Sequence, residues 1–570
     1  MSAMRQRAGD DNPLLASTWR GLTARCVAMA LFAALIGFAG NAALPPLDRD
    51  EARFAQATAQ MLESGDFIAI RFQDQERNKK PAGVHWLQAA SVAAFTDVDD
   101  RQIWAYRLPS VAGIALAAIF TLLIGERLFN PLVGGLAGAI IAASPIAAVE
   151  ATIAKTDAFL LATIVCAFAA AAAIIQRAET ERPAAPGSAA LSWTALFWTS
   201  VGASVLIKGP VIFAAIAPFA LIYAIRRRNV NLWRAFRPGL GLAIVLAIAV
   251  PWALAVNAAT EGRFFAEAIG KDFLGKVGAA QESHWGPPGY HTLFVFVLMW
   301  PALPLIVRSL GRTWTQRADW RALFLLAWLI PGWIIFELTA TKLPHYTLPF
   351  YPALALMVAW LVIERPTSNA APPMAQRLGA VAFGIIGVGM GLLFVAPAAI
   401  ARTTPSLFAL LGAGAFGAAS IIVARRYWRG QNARALLGAI ALSGLFAWIG
   451  LHAVAPRLDA VKTSPMIASV VKAANLHEIS DAAAPTILSG YREPSAIFLL
   501  GTKTVLADGA AAARAAERQP GGAIVVEARQ LKAFEAAAAD ARLNLRRLAV
   551  IDSFNYSKGK SISLVVYENR

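Results

Sequence analysis

Charged residues are scarce in this chain of 570 residues, of which 15% are Asp, Glu, Lys or Arg and 57% are hydrophobic. Soluble domains carry about 25% charged residues, so the composition excludes an ordinary soluble protein and predicts a membrane protein. Cysteine is scarce as well. Cys26 and Cys166 both fall inside apolar runs, which excludes a disulfide framework or a cysteine metal site and favours two buried small side chains.

Apolar runs long enough to cross a membrane, which takes about 20 residues, recur through residues 1–455. We predict a transmembrane domain of about thirteen helical spans there. The runs lie at 23–43, 105–124, 132–150, 155–176, 190–207, 210–225, 238–257, 291–307, 321–341, 346–363, 378–400, 405–424 and 434–454.

The chain is basic, with a net charge of +17, but its arginines gather in short loops between apolar runs. Loops 226–237, 308–321 and 425–434 fall on one side of the membrane under the thirteen-span count, and arginine-rich loops face the cytoplasm. We therefore predict a bacterial inner-membrane protein with a cytoplasmic N-terminus and no nucleic-acid partner. Counting 81–96 as a span would put these loops outside, so that stretch is predicted to lie on the membrane surface.

Two larger segments then lie outside the cytoplasm, at 44–104 and 456–570. Within the first, residues 50–64 place Phe, Ala, Met and Leu on one side of a helix, and Gly65 is a common helix stop. Together with 81–96, this helix predicts a pair of surface helices on the outer leaflet.

The C-terminal segment follows a different pattern. Short β-rich runs alternate with Ala-rich helical stretches such as 528–542; the runs are TILSG, KTVLAD, GAIVVEA, RLAVID and SISLVVYE. No nucleotide-binding glycine fingerprint or catalytic set is visible in it. We predict a small periplasmic α/β domain with an accessory role.

Ionisable side chains cluster at the outer ends of the predicted spans. The clusters are Asp48, Asp50, Glu51 and Arg53; Lys79, Lys80, His85 and Trp86; Lys155 and Asp157; Lys208; Lys271, Lys276, His284 and His291; and Lys342, His345 and Tyr346. Each cluster alone is explained by snorkelling to headgroups or by a helix N-terminus. Their convergence on one side of the membrane predicts a functional site.

The mixture of charges suits one reaction class. Lys80, Arg53 and Lys208 suit a phosphate, which Asp50 and Asp157 would repel. The carboxylates suit instead an acceptor hydroxyl that needs a base, or the positive charge that develops on a sugar ring. Together they predict glycosyl transfer from a lipid phosphate.

Five motifs occur in an order that resembles a known family. They are DEARFAQATAQMLESGDF, KPAGVHWLQA, AKTDAF, IKGP and TKLPHYTLPFYPALAL. Across roughly residues 20–460 the chain resembles bacterial membrane glycosyltransferases of the GT-C fold, in particular the aminoarabinose transferases that act on lipid A and the protein O-mannosyltransferases. The resemblance implies an undecaprenyl-phosphate type of sugar donor and inversion at the anomeric carbon.

The resemblance also implies roles for single residues. Carried over by motif, Asp50 resembles the essential aspartate of the first loop, Asp157 a second acidic residue, Arg53 and Lys80 the cations that face the phosphate, and Lys208 and Tyr346 contacts to the carrier phosphate. Further candidate substrate contacts are Glu51, His85, His284, Lys342 and His345.

One departure concerns a metal. Many relatives read Glu-Lys-Pro where this chain has Lys79, Lys80 and Pro81, and in some of them that Glu helps to bind a divalent cation. A charged Lys79 has no lone pair to offer, so we assign no metal; His85 and His284 are the candidate ligands if one binds.

The predicted acceptor is an envelope glycolipid such as lipid A. Protein O-glycosylation is the alternative within enzymes, and a transporter or flippase for a lipid-linked sugar is the alternative from another class. A transporter is disfavoured because spans such as 105–124 and 378–400 are almost wholly apolar at their centres and no internal repeat is apparent.

Overall fold

A computed structural model describes residues 21–180, 188–227, 230–274, 286–364, 372–400, 403–458 and 461–570. Its helices up to residue 457 are Gly21–Gly37, Asp50–Ser64, Gly83–Phe95, Ile103–Leu128, Pro131–Ala142, Pro145–Ala151, Asp157–Thr180, Ser188–Lys208, Gly209–Ile212, Phe213–Arg227, Val230–Ala235, Pro238–Ala259, Arg263–Phe265, Ala266–Leu274, Tyr290–Leu298, Trp300–Leu305, Ile306–Thr315, Trp320–Leu338, Pro344–Phe350, Tyr351–Glu364, Met374–Leu392, Leu393–Val395, Ala396–Ile400, Leu407–Trp428, Asn432–Ala447, Trp448–Val454 and Ala455–Arg457.

Among the described residues, nine helices are long and apolar enough to cross a membrane, or up to eleven if two bent pairs each form one span. The bent pairs are Pro131–Ala142 with Pro145–Ala151, at 61°, and Tyr290–Leu298 with Trp300–Thr315, at 108°. Gly21–Gly37 is apolar but has only 17 residues. A polytopic helical membrane protein is thus confirmed, whereas the number thirteen stays a prediction.

The chain reverses direction near Lys208. Although Leu191–Arg227 is helical almost throughout, its contacts with the neighbouring helix give its path: Ser204 with Thr163, Lys208 with Asp157, and Arg227 with Glu179. Asp157 and Glu179 lie about 33 Å apart along one helix. The first half of the segment therefore approaches Asp157 and the second half runs back, as the predicted tight turn requires.

Close helix packing fixes the start of the helix that carries Asp157. A Cβ atom at Gly113 would lie only 2.7 Å from the backbone of Ala158. Helix Ile103–Leu128 therefore approaches that backbone as closely as a glycine allows. Small residues are used in this way at helix contacts in membranes, and here the contact holds the residue next to Asp157.

The segment 44–104, called the outer segment after its predicted location, has the two predicted helices. Asp50–Ser64 ends at Gly65, which adopts φ +71°, and Gly83–Phe95 has 13 residues. At about 20 Å the second helix is too short to cross a bilayer. A short antiparallel hairpin, Arg71–Phe72 with Gln75–Glu76, joins them and was not predicted.

The C-terminal region forms the predicted α/β domain, with all five predicted strands present; the boundary at 456 stays a prediction. The strands lie in the order Val505–Ala507, Ala484–Ser489, Gly522–Glu527, Lys560–Asn569 and Leu545–Asn555. The first three are parallel and the last two join antiparallel. Its helices are Thr463–Ala473, Pro494–Leu500, Gly509–Arg518 and Ala528–Asp540.

This domain packs on the outer segment. Phe498 is fully buried and meets Tyr106 edge to face, with ring centroids 5.3 Å apart. Ala55 and Ala59 of helix Asp50–Ser64 belong to the same apolar cluster. The domain and the predicted surface helices are therefore on the same side of the spans.

A buried ion pair ties the outer segment to the spans. Arg107 and Glu51 are 0% and 1% exposed and share two hydrogen bonds of 2.7 Å. Glu51 also accepts the backbone N–H groups of Leu47 and Ala154, each at 2.8 Å. Arg107 donates its remaining N–H groups to backbone carbonyls between residues 41 and 45. The two opposite charges therefore compensate each other, and every N–H group of the Arg107 guanidinium has an acceptor.

Replacing Glu51 by Gln should lower the free energy of unfolding by about 3–5 kcal/mol, because it leaves the buried charge of Arg107 uncompensated. Thermal unfolding of the purified protein in detergent measures the effect. Arg492→Gln is the control, since Arg492 and Asp508 are 49% and 73% exposed and such a pair contributes at most about 1 kcal/mol. Equal shifts in melting temperature for the two variants would contradict this account.

Candidate active site

A cavity of about 440 Å³ opens where the outer segment meets the ends of several spans. Its charged and polar walls come from stretches far apart in the sequence: Asp50, Arg77, Lys79, Lys80, Lys155, Thr156, Asp157, Lys208, Thr339, Thr341, His345 and Tyr346. Phenylalanine, leucine, isoleucine and proline side chains line the rest. Folding thus brings several of the predicted clusters into one space.

Asp157 and Lys208 form an ion pair on the cavity wall. The Lys208 ammonium donates to Oδ1 of Asp157, which is 8% exposed. It also lies 5.6 Å from the ring centroid of Tyr346, within the range of a cation–π contact. An ammonium has three N–H donors, so Lys208 retains donors for a ligand oxygen while Asp157 holds it in place.

Glu150 is a carboxylate of this region that was not predicted as a site residue. It is 2% exposed, and its Oε1 lies 3.0 Å from Nζ of Lys155 and 3.7 Å from Nδ1 of His345. Its Oε2 has no hydrogen-bond partner among the described residues. A lone Glu at the end of an apolar run was the available signal, because ionisable groups at membrane depth are usually functional.

His345 and Lys155 connect Glu150 to Asp157. His345 Nε2 lies 3.7 Å from Oδ1 of Asp157, and Lys155 Nζ lies 3.7 Å from its Oδ2. Burial acts to lower the pKa of Lys155, but the two carboxylates outweigh burial and raise it, so Lys155 stays charged. Acidic and basic side chains therefore alternate from Glu150 through Lys155 and Asp157 to Lys208.

Another part of the cavity wall belongs to the outer segment. Asp50 is the first residue of its helix and is exposed. One turn later Phe54 supports Arg77, whose guanidinium lies 4.5 Å from the ring centroid. Lys79 and Lys80 complete this wall. Arg77 was not predicted as a site residue, although it stands two residues before the predicted pair Lys79 and Lys80.

Among the described residues, four predicted site residues do not line this cavity: Glu51, Arg53, Lys342 and His85. Glu51, a candidate substrate contact, is enclosed in its pair with Arg107. Arg53, a candidate phosphate contact, is half-buried outside the lining. Lys342 is 5% exposed and donates at 2.6 Å to the backbone carbonyl of Thr339. Contacts with the protein therefore take the place of the substrate contacts expected of Glu51 and Lys342.

His85 is likewise buried away from the cavity. Its Nδ1 lies 2.8 Å from the hydroxyl of Thr58 and its ring stacks on Phe54. Burial lowers the pKa of His85 to about 3, so the imidazole is neutral at physiological pH. The neutral ring therefore supports Phe54, which lines the cavity.

The candidate metal ligands named from the sequence are His85 and His284. His284 lies outside the described residues. Within the described part of the chain, no group of three His, Cys, Asp or Glu side chains is placed to hold a metal ion. The cavity lining has more cationic than anionic side chains. Such a lining attracts phosphates more strongly than metal cations.

Comparison with known proteins places these features in a family context. The profile of the dolichyl-phosphate-mannose-protein mannosyltransferase family matches residues 48–263. Undecaprenyl phosphate-alpha-4-amino-4-deoxy-L-arabinose arabinosyl transferase 1 of Pseudomonas fluorescens is 26% identical over 347 residues, which are 60% of this chain and 59% of that protein. The chain thus matches about three fifths of the length of that relative.

Other relatives extend the match. The transferase of the same name from Pectobacterium atrosepticum is 26% identical over 411 residues, 72% of this chain and 67% of that protein. The crystal structure of ArnT from Cupriavidus metallidurans bound to undecaprenyl phosphate has a TM-score of 0.71 and 19% identity, covering 95% of this chain and 97% of that one. The fold predicted from the motifs is confirmed.

Lys208→Met should weaken the binding of undecaprenyl phosphate by about 10- to 100-fold, because a hydrogen bond to a charged group contributes about 1.5–3 kcal/mol. Asp157 retains Lys155 and His345 as neighbours, so the variant should fold. Binding to the purified protein in nanodiscs is the measurement.

Lys342→Met is the matched control, since Lys342 is buried beside the cavity but donates to a backbone carbonyl. We expect its affinity to stay near that of the wild type. Equal losses of affinity in the two variants would contradict a specific role of Lys208 in binding the phosphate.

Proposed function

We propose that this chain, a GT-C membrane glycosyltransferase of the aminoarabinose transferase and protein O-mannosyltransferase kind, moves a sugar from a polyprenyl-phosphate carrier to an envelope acceptor on the outer side of the bacterial inner membrane. The observation that carries the proposal is the gathering of cations and carboxylates from distant segments in one cavity. The undecaprenyl phosphate bound to ArnT from Cupriavidus metallidurans supports the type of carrier.

The carrier phosphate is held by the cationic side of the cavity. Lys208, Lys80 and Arg77 surround the space that a phosphodiester would fill, and Tyr346 adds a hydroxyl and a ring beside Lys208. These groups stabilise the phosphate more strongly as it leaves, because its negative charge grows when the bond to the sugar breaks. No proton has to be given to the leaving group.

Asp50 is the base when the accepting group is a hydroxyl, whereas an accepting phosphate would be nucleophilic without a base. The acceptor oxygen attacks the anomeric carbon, the bond from that carbon to the phosphate oxygen breaks, and the electron pair stays on the phosphate. The proton of an acceptor hydroxyl passes to the Asp50 carboxylate, which is exposed on the cavity wall and can therefore reach an incoming group. One displacement from the opposite face inverts the configuration.

Asp157 serves the reaction through Lys208. Its carboxylate holds the Lys208 ammonium at the cavity wall. The lysine side chain is therefore already ordered when the phosphate binds, and little conformational entropy is lost at that step. The negative charge of Asp157 also favours the positive charge that develops on the sugar ring.

An envelope glycolipid such as lipid A is the proposed acceptor. The motif resemblance to the aminoarabinose transferases supports a glycolipid, and relatives of that name match the chain, whereas the mannosyltransferase profile supports a protein acceptor as the alternative. A transporter for a lipid-linked sugar is the weaker candidate, because transporters bind at the membrane midplane between repeats and the charged cavity lies at the ends of the spans.

The outer face is proposed to be the periplasmic face, with the N-terminus in the cytoplasm and the C-terminal domain in the periplasm. Arginines such as Arg227 and Arg312, which pair with Glu179 and Glu364, belong to the arginine-rich loops. Such loops face the cytoplasm, and Arg227 pairs with Glu179 near the far end of the helix that begins with Asp157.

Asp50→Asn should lower turnover by about 100- to 10,000-fold, the usual contribution of a general base. Donor binding and melting temperature should stay near wild type because Asp50 is exposed. Asp100→Asn, an exposed carboxylate of the same outer segment, is the control and should retain activity. Wild-type turnover of Asp50→Asn in nanodiscs would remove Asp50 from the reaction.

Deleting the gene should remove one sugar from an envelope glycolipid, and complementation with the wild-type chain but not with Asp50→Asn should restore it. Mass spectrometry of lipid A and of periplasmic glycoproteins makes the comparison. Loss of the sugar from proteins alone would favour the protein alternative, and no change in either pool would contradict both acceptors.

A further inference from the structure

The C-terminal domain touches the chain immediately before Asp50. The backbone N–H of Ser495 donates at 3.0 Å to Oδ1 of Asp48, and the backbone N–H of Asp48 donates to the hydroxyl of Tyr556. Arg49 donates to the backbone carbonyl of Ser557. Two consecutive residues of the outer segment are thus held by a domain that begins about 400 residues later in the chain.

Arg49 adopts an unfavourable backbone conformation at this point. Its φ is +67° and its ψ is −107°, and its side chain does not cap the helix that begins at Asp50. A residue other than glycine with such angles is strained and persists only where its surroundings impose the conformation. The C-terminal domain bonds the preceding residue, Asp48, and the side chain of Arg49, so it helps to hold this conformation.

Asp48 is a costly residue for this position. Burial raises the pKa of Asp48 to about 6, and the nearby carboxylate of Glu493 adds to the effect, while hydrogen bonds from Ser495 and the charge of Arg53 oppose it. Tyr491 and Tyr556 also face the carboxyl group. A half-buried carboxyl group with a raised pKa contributes little stability, so the hydrogen bonds that join Asp48 to Ser495 and Tyr556 favour a geometric role.

We propose that the C-terminal domain positions Asp50: through Ser495 and Tyr556 it fixes Asp48 and thereby holds the first turn of helix Asp50–Ser64 against the cavity. The inference rests on the proposed role of Asp50 in sugar transfer. Asp48 and Tyr556 are positioning residues, because they act on the reacting groups only through Asp50.

Other contacts of the same domain supply a matched control. Thr502 Oγ1 accepts a hydrogen bond from Gln56 and donates one to Glu63, each at 2.7 Å. These contacts anchor the domain to the middle and end of the same helix, away from Asp50. Thr502→Val should loosen the anchor without releasing the turn at Asp48.

Hydrogen–deuterium exchange of the full-length protein in nanodiscs tests the junction without any substrate. The backbone N–H of Ala52 donates to Leu47 and that of Arg53 donates to Arg49, so both amides report on the turn. Asp48→Ala should speed their exchange by about tenfold or more. Asp48→Asn keeps an oxygen for the Ser495 N–H and should restore slow exchange, and Thr502→Val should leave it unchanged.

Turnover with an undecaprenyl-phosphate-linked sugar tests the consequence for the reaction. Asp48→Ala and Tyr556→Phe should lower kcat by about 10- to 100-fold, since a displacement of about 1 Å at a reacting group has that effect. Their Kd for undecaprenyl phosphate alone should stay within about twofold of wild type, because the phosphate contacts are intact. Asp48→Asn should recover most of the turnover.

Unchanged exchange or wild-type turnover in Asp48→Ala would overturn the positioning role. An equal loss of turnover in Thr502→Val would show that the domain only anchors the helix. Weaker binding of undecaprenyl phosphate by Tyr556→Phe would show that Tyr556 acts on donor binding. Either result overturns the proposal. If the wild type transfers no sugar from such donors, the proposed function fails, and the exchange measurement still decides whether the domain holds the turn.

Discussion

The ion pair between Lys208 and Asp157 is the contact on which the candidate site depends. A charge beside apolar helices is stable only when it is paired or hydrogen-bonded, so each group fixes where the other must lie. The pair therefore joins the start of one span to the reversal between two others. Lys155, Glu150 and His345 extend the same alternation of charge.

The outer segment brings what the spans lack. The spans provide the paired charges of the cavity, whereas the segment provides Asp50, Arg77 and Lys80. The two parts are joined by the buried pair of Glu51 with Arg107 and by the C-terminal domain, which packs Phe498 on Tyr106. The wall that carries the proposed base is thus held from both sides.

Much of this arrangement could be predicted from the sequence, because composition and helix periodicity are local properties. Helix Asp50–Ser64, the five strands of the C-terminal domain and the turn at Lys208 follow from residues adjacent in the chain. The convergence of the charged clusters also followed, since hydropathy and arginine-rich loops determine on which side each span ends.

The remainder depends on partners distant in the sequence. Glu51 stands beside Asp50 in the motif, yet successive residues of a helix face different directions, and it is Glu51 that pairs with Arg107. Glu150 was missed because one acid in an apolar run has no local pattern, and its neighbour His345 is almost 200 residues away. Two apolar segments are bent by 61° and 108°. Hydropathy detects such segments but not their bends, so it does not determine the number of spans.

A cryo-electron microscopy structure of the full-length protein in nanodiscs with undecaprenyl phosphate is the most direct test of the site. We predict that the phosphate lies in the cavity, with an oxygen about 3 Å from Nζ of Lys208 and the carboxylate of Asp50 facing the open side. A phosphate bound elsewhere on the protein, with the cavity filled only by water, would contradict the assignment of this cavity as the active centre.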